Sequence, residues 1–145
     1  MQRVKSASVR VDDKIISSIN HGFLVLLGVE SGDTDADTDY IVNKIVGLRI
    51  FEDADEKMNL SIQDIKGEII IVSQFTLAGD ARKGRRPSFS NAMEPNEANK
   101  IYNQLVEQIR QMGIHVGTGE FGAMMDVALV NSGPVTILLD SRRKF

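Results

Sequence analysis

Two short segments put polar groups where apolar runs end: Ser73-Gln74-Phe75-Thr76, and Asn131-Ser132-Gly133-Pro134-Val135-Thr136. The first offers two hydroxyls and a carboxamide after the run Ile69–Val72. Such groups can attack or polarise a carbonyl, and they serve equally well as caps and turn formers. The residues just downstream favour chemistry: a glycine-containing turn (Ala78-Gly79-Asp80), the basic loop of Arg82, Lys83, Arg85 and Arg86, then Pro87-Ser88-Phe89. Hydroxyls, an amide, aromatic rings and guanidinium groups within seventeen residues form the mixture that a sugar, a phosphate and a base would need. The second segment lies between two apolar runs, where Ser-Gly-Pro is ordinarily a turn. A Gly-Pro peptide in such a link can be cis, as about 5–6% of X–Pro bonds are, and would then aim two carbonyls the same way.

Other chemistries find little material. The chain has no cysteine, which removes disulfides and thiolate metal sites. Its two histidines, His21 and His115, have no acidic or nucleophilic neighbour in sequence and are expected to be structural or superficial. Asp33, Asp35 and Asp37 open like a calcium loop, but Thr38 stands where that loop needs glycine and Lys44 where it needs glutamate. These acids suit the positive end of a helix better. Gly22 and Gly28 are not followed by the Gly-Lys-Ser/Thr turn of a phosphate loop. No metal and no cofactor are therefore expected.

With 145 residues, 42% of them hydrophobic and 26% charged, the chain fits one globular domain, residues 1–145. It has no apolar stretch of membrane-spanning length and no signal-peptide pattern, which gives an expectation of a cytoplasmic protein without a membrane partner. A net charge of −3 gives no general attraction to nucleic acid. The charge is unevenly spread, however, with acids at 33–39 and 52–56 and bases at 82–86 and 142–144.

The elements that must position these groups follow from patterning. Ala7, Val9 and Val11 alternate along a half-buried strand, Asp12-Asp13 turns, and Lys14–Ile19 returns as a hairpin partner. The run Phe23–Val29 is apolar throughout, as in a central strand covered on both faces. Ile41, Ile45 and Leu48 mark a helix over 36–48. A second helix begins at Pro95, carries Ala98, Ile101, Tyr102, Leu105, Val106, Ile109 and Met112, and stops at Gly113. Strands are expected over 68–77, 115–118, 126–131 and 135–140. Many strands and two helices indicate an α+β fold, with both helices packed on one side of a mixed sheet or small barrel.

Taken together, SQFTL (Ser73–Leu77) and NSGPVT (Asn131–Thr136) resemble the two signature motifs of the D-aminoacyl-tRNA deacylases, also called D-tyrosyl-tRNA deacylases. The likeness extends over nearly the whole chain, through Gln2-Arg3-Val4, GFLVLLGVE, LRIFEDADEKMNLS (Leu48–Ser61), RPSFS (Arg86–Ser90) and PNEA. In one respect the chain departs from the family: Met1 directly precedes Gln2, where members usually carry a few more apolar residues, which leaves a shortened first strand or an altered start as the two readings.

The resemblance implies a homodimer that hydrolyses the ester at the aminoacylated 3′ end of tRNA, with no requirement for DNA. It implies that Gly133-Pro134 of one subunit enters the pocket of the other and rejects L-amino acids by collision, while D-amino acids and glycine pass. Arg3 would brace that segment, and Asn131 belongs to the same motif. Ala98, Phe121 and Met125 would line the pocket for the terminal adenosine and aminoacyl group, with Phe89 nearby. By the same resemblance, Phe75 and Thr76 supply oxyanion donors and Ser73 and Gln74 shape the site. Either the Thr76 hydroxyl attacks the ester, or the ribose 2′-OH helps activate water. A nucleophilic threonine needs an adjacent base, and none lies near the segment before Asp80, which favours the second route. A different ester or phosphate hydrolase, and a nucleic-acid-binding module without catalysis, are the competing readings.

Overall fold

The computed structural model describes residues 1–144. Strand β1 (Gln2–Val11) pairs with β2 (Lys14–Ile19) as a hairpin, and its first residues pair with β3 (Gly22–Leu27), both antiparallel. The hairpin turn at Asp12 and Asp13 uses two positive φ angles, 46° and 61°, a conformation that aspartate tolerates better than most residues. Helix α1 (Asp35–Gly47) then crosses the sheet. A two-stranded ribbon comes next, β4 (Phe51–Glu52) with β5 (Met58–Leu60), before β6 (Glu68–Ser73) enters parallel to β3. Helix α2 (Pro95–Gln111) leads to β7 (Val116–Thr118), parallel to β6, and β8 (Asp126–Thr136) runs antiparallel along β1. The sheet order is β2-β1-β3-β6-β7, with β8 also pairing with β1.

The alternating side chains of β3 and β6 divide the core. Phe23, Val25, Leu27, Ile69 and Ile71 face α1 and α2, while Leu24, Ile70 and Val72 pack with Val4, Val9 and Ile19 on the opposite face. The continuous apolar run of β3 is explained by this double burial. The acidic stretch does begin a helix: Thr34 and Asp37 form a capping box, and Asp35 and Asp37 occupy the first turn. The Asp37 carboxyl is held below its usual pKa by hydrogen bonds, the largest from Ser141 and then from Thr34.

Two expectations change. The strand expected over 68–77 ends at Ser73, and Phe75–Ala78 form a 3₁₀ turn instead. The strands expected over 126–131 and 135–140 are one strand, β8, which bulges between Asn131 and Thr136 and leaves residues 137–140 outside it. Its register against β1 shifts around Val4, which lets the irregular segment stay in the sheet. The first strand spans ten residues. The Met1 amino group also donates to the Ile137 carbonyl at 2.8 Å and the Ile137 amide donates back to Met1 at 2.9 Å.

β3 and β6 approach most closely at Gly22, where a Cβ would lie 1.8 Å from the Glu68 carbonyl oxygen. Gly22→Ala must push the two strands apart. Urea unfolding is expected to show a loss of about 3 kcal/mol or more, and an unchanged midpoint would contradict that contact.

Candidate active site

The parallel strands β3, β6 and β7 end at one edge of the sheet, with Leu27 opposite Ser73 and Ile71 opposite Thr118. In parallel sheets the carboxyl ends of strands are where ligands commonly bind. The chain turns sharply there. The Gln74 amide donates to the Leu27 carbonyl at 2.7 Å, and the Leu77 amide donates to the Gln74 carbonyl at 3.3 Å, closing the 3₁₀ turn. Among the described residues the turn leaves the N–H groups of Phe75 and Thr76 without a backbone carbonyl to bond, because 3₁₀ pairing begins only with the third amide. Phe75 and Thr76 are exposed, and the Gln74 side-chain amide donates to the Thr76 hydroxyl.

Phe89 closes this turn from the outside. A Cβ on Gly79 would lie 2.9 Å from its ring, and the ring meets Phe75 edge-on with centroids 5.2 Å apart. The segment after it is pinned to the end of β3, with the Met93 amide donating to the Val29 carbonyl at 3.0 Å and the Ser31 amide to the Asn91 carbonyl at 2.9 Å. Helix α2 starts immediately beyond, capped by the Glu94 carboxylate, which accepts from the amides of Asn96 and Glu97. Ala98 is buried in its first turns.

Phe121 and Met125 flank the same strand ends from opposite faces. Phe121 packs with the helix-side core against Tyr102, centroids 6.2 Å apart, while Met125 packs with the other core and lies over Gly119 and Val72. Ser73, Gln74, Phe75, Thr76, Phe89, Ala98, Phe121 and Met125 thus gather at one end of the sheet. Arg3, Asn131, Gly133 and Pro134 are elsewhere in this protomer, on the β1–β8 side.

That second group has its own framework. Arg3 is only 5% exposed. Its Nε donates to the Ser132 carbonyl at 3.0 Å, one terminal nitrogen donates to the Ile50 carbonyl at 2.8 Å, and Glu52 pairs with it at 3.3 Å. A buried guanidinium is tolerable only with partners of this kind. The Asn131 side chain bonds both ends of the bend, accepting from the Val135 amide at 2.9 Å and donating to the Thr136 hydroxyl at 3.2 Å. The Gly133-Pro134 peptide is cis, Gly133 has φ +127°, and both residues are exposed.

Both histidines are exposed. His21 meets Phe51 edge-on at 5.1 Å, and the His115 carbonyl accepts from the Ile69 amide at 2.9 Å. Among the described residues no group of three or more His, Cys, Asp or Glu is arranged to hold a metal.

Tyr102 supports the site in a way its helical spacing did not reveal. Its hydroxyl donates to the Ile71 carbonyl at 2.7 Å, where the Gly119 amide also donates, so it ties α2 to the β6–β7 edge. Only its hydroxyl, on an otherwise apolar stripe, hinted at this in the sequence. Burial pushes the Tyr102 phenol up to about 12, against smaller pulls from Arg110 and the Gly119 amide.

Comparisons with known proteins bear on what such a site is for. Residues 1–140 match the family model described as D-Tyr-tRNA(Tyr) deacylase. A protein of Clostridioides difficile strain 630 named D-aminoacyl-tRNA deacylase is 57% identical over 145 residues, covering 100% of this chain and 97% of the relative. One of the same name from Thermosipho melanesiensis is 59% identical, again over 100% and 97%. A solved structure titled c-Myc DNA Unwinding Element Binding Protein superposes with a TM-score of 0.88 at 43% identity, covering 94% of this chain and 93% of that one. Another, titled as a probable eukaryotic D-amino acid tRNA deacylase, superposes at 0.79 over 92% of each chain, with 19% identity.

Between pH 10 and about 12 the unfolded chain ionises this tyrosine while the folded chain keeps it neutral, so stability falls as pH rises through that window. Below pH 10 its full contribution is present. Tyr102→Phe is expected to remove that part of the pH slope in chemical-denaturation curves and to cost about 1 kcal/mol near neutral pH.

Proposed function

The chain belongs to the D-Tyr-tRNA(Tyr) deacylase family, and from that premise we propose that it hydrolyses the ester joining a D-amino acid to the terminal ribose of tRNA. The observation that carries this reading to particular atoms is the pair of unbonded amides at Phe75 and Thr76, on an exposed turn at the ends of β3 and β6. An ester carbonyl bound there would receive both N–H groups as its oxygen gains charge in the tetrahedral intermediate. Ser73 and Gln74 shape the turn. Ala98, Phe121 and Met125 line the floor for the aminoacyl group and terminal adenosine, with Phe89 at the rim.

The nucleophile is water, activated with help from the ribose 2′-OH. In support, the partner of the Thr76 hydroxyl is the Gln74 amide, a donor that cannot take up a proton. No metal or cofactor enters this reaction, and its place is the cytoplasm, where aminoacylated tRNA is used.

The active form is a homodimer in which Gly133-Pro134 of one subunit reaches the Ser73–Thr76 pocket of the other. Three features support this reading. In a single protomer the two segments stand apart, one beside the start of β1 and the other at the end of β6; Gly133 and Pro134 are exposed; and among the described residues β8 pairs with β1 alone while exposing Val130 at 53%, an edge that ordinarily seeks cover. The main chain at that point excludes an L side chain, whereas a D side chain, or glycine with none, passes.

D-Tyr-tRNA and glycyl-tRNA should release their amino acid in a time course that spares L-Tyr-tRNA, and equal release from the D and L forms would overturn the filter. Thr76→Ala should keep turnover within about tenfold of the parent, the value of one hydrogen bond; complete loss with substrate binding intact would make the threonine the nucleophile. Arg3→Ala frees the Ser132 carbonyl and should cut D-over-L discrimination about tenfold or more, the value of a charged hydrogen bond.

A further inference from the structure

We propose that Lys83, Arg85 and Arg86 form an arm that holds backbone phosphates of the RNA strand leaving the site, an inference that rests on the deacylase reading above. The arm is a closed loop with a fixed base. Asp80 and Ser88 exchange backbone hydrogen bonds at 2.7 and 2.9 Å, so residues 81–87 are held at both ends. The base is part of the site's rim, because Ser88 precedes Phe89, whose ring lies on Gly79 and against Phe75. Gly84, with φ +71°, makes the bend at the tip.

Charge within the loop is already sorted. Arg82 is engaged with Asp80, its Nε and a terminal nitrogen donating to the two carboxylate oxygens at 2.9 and 2.7 Å. That pairing holds the Asp80 carboxyl far below the usual carboxylate range and neutralises the one acid of the loop. Lys83, Arg85 and Arg86 remain exposed, with no carboxylate within ion-pair distance among the described residues. The other basic cluster is committed: Arg142 pairs with Glu30 and Asp33, Lys144 with Glu30 and Asp140, and Arg143 lies over the Tyr40 ring. In a chain of net charge −3, three unpaired cations on a loop whose base adjoins Phe89 and the exposed aromatic Phe75 form a local positive field. Its chemistry suits a strand of phosphates whose terminal base stacks next to it.

A substrate pair separates the arm from the chemistry: D-Tyr-tRNA, and D-tyrosyl-adenosine, which has the same ester and ribose without the phosphate chain. For wild type, three neutralised phosphates imply that a rise in monovalent salt from 50 to 200 mM raises KM for D-Tyr-tRNA by about 20–40-fold. In the variant carrying Lys83→Ala, Arg85→Ala and Arg86→Ala, KM for D-Tyr-tRNA should rise by at least about tenfold at low salt, and its salt dependence should flatten. Kinetics on D-tyrosyl-adenosine should match wild type. The charge-keeping variant Lys83→Arg, Arg85→Lys, Arg86→Lys should restore most of the loss. Unchanged KM and salt slope on D-Tyr-tRNA would overturn the arm, and so would equal losses on both substrates. If wild type hydrolyses neither substrate, the deacylase reading itself has failed.

Discussion

The close approach of β3 and β6 governs the rest of the molecule. Because Gly22 has no side chain, the two strands can start in register at Glu68 and remain paired to Leu27 and Ser73. Parallel pairing from a common start produces a common finish, and the finish is where the polar residues lie. The Gln74 amide bonding to the Leu27 carbonyl converts the end of β6 into a turn rather than more strand. Moving β6 by one residue would send Ile70 and Val72 to the helix face and exchange the two cores. The burial of Ile69, Ile70 and Ile71, each at 0% exposure, makes that slip costly on both sides of the sheet. Two packed faces therefore fix where the unbonded amides of Phe75 and Thr76 point.

The β8 side is built on a different principle. There a single buried cation organises its surroundings: Arg3 reaches the Ser132 and Ile50 carbonyls and the Glu52 carboxylate from one side chain. A charge so enclosed has few alternative arrangements, since losing any partner leaves an uncompensated polar group. Asn131 does comparable work inside the bend. The two halves of the proposed pocket thus have separate supports, one apolar and one ionic. A perturbation of the helix-side core should reach the strand ends long before it reaches Gly133-Pro134.

Much of this was legible in the order of residues. The acids at the start of α1, the first-turn Pro95 and the apolar stripe of α2 are local signals, and local backbone preference answers them. The unbroken apolar run of β3 signalled burial on both faces, as found. The end of β6 was misjudged because Phe75, Thr76 and Leu77 have good strand propensity; only the hydrogen bond to Leu27, from a strand some fifty residues earlier in the chain, turns them aside. The link expected at Ser132-Gly133-Pro134 became a bulge within one strand for the converse reason, since β1 pairs with Asn131 before it and Thr136 after it, a ladder that turn chemistry alone cannot foresee. The short ribbon of β4 and β5 went unseen because its strands are only two and three residues long.

The sequence alone determined the inventory: motifs specific enough to indicate the family, helices defined by spacing and caps, a chain with no thiol and two histidines. These depend on residue type and on neighbours within a turn or two, so order suffices. Tertiary structure decided which of those residues meet. It set Phe121 and Met125 on opposite faces of one edge, joined Tyr102 to the Ile71 carbonyl, paired Arg82 with Asp80 while leaving Lys83, Arg85 and Arg86 open, and kept Gly133-Pro134 apart from Ser73–Thr76 within one protomer. Contacts of that kind depend on strand register and on the direction each side chain takes from a packed core, and both exist only once distant segments have come together.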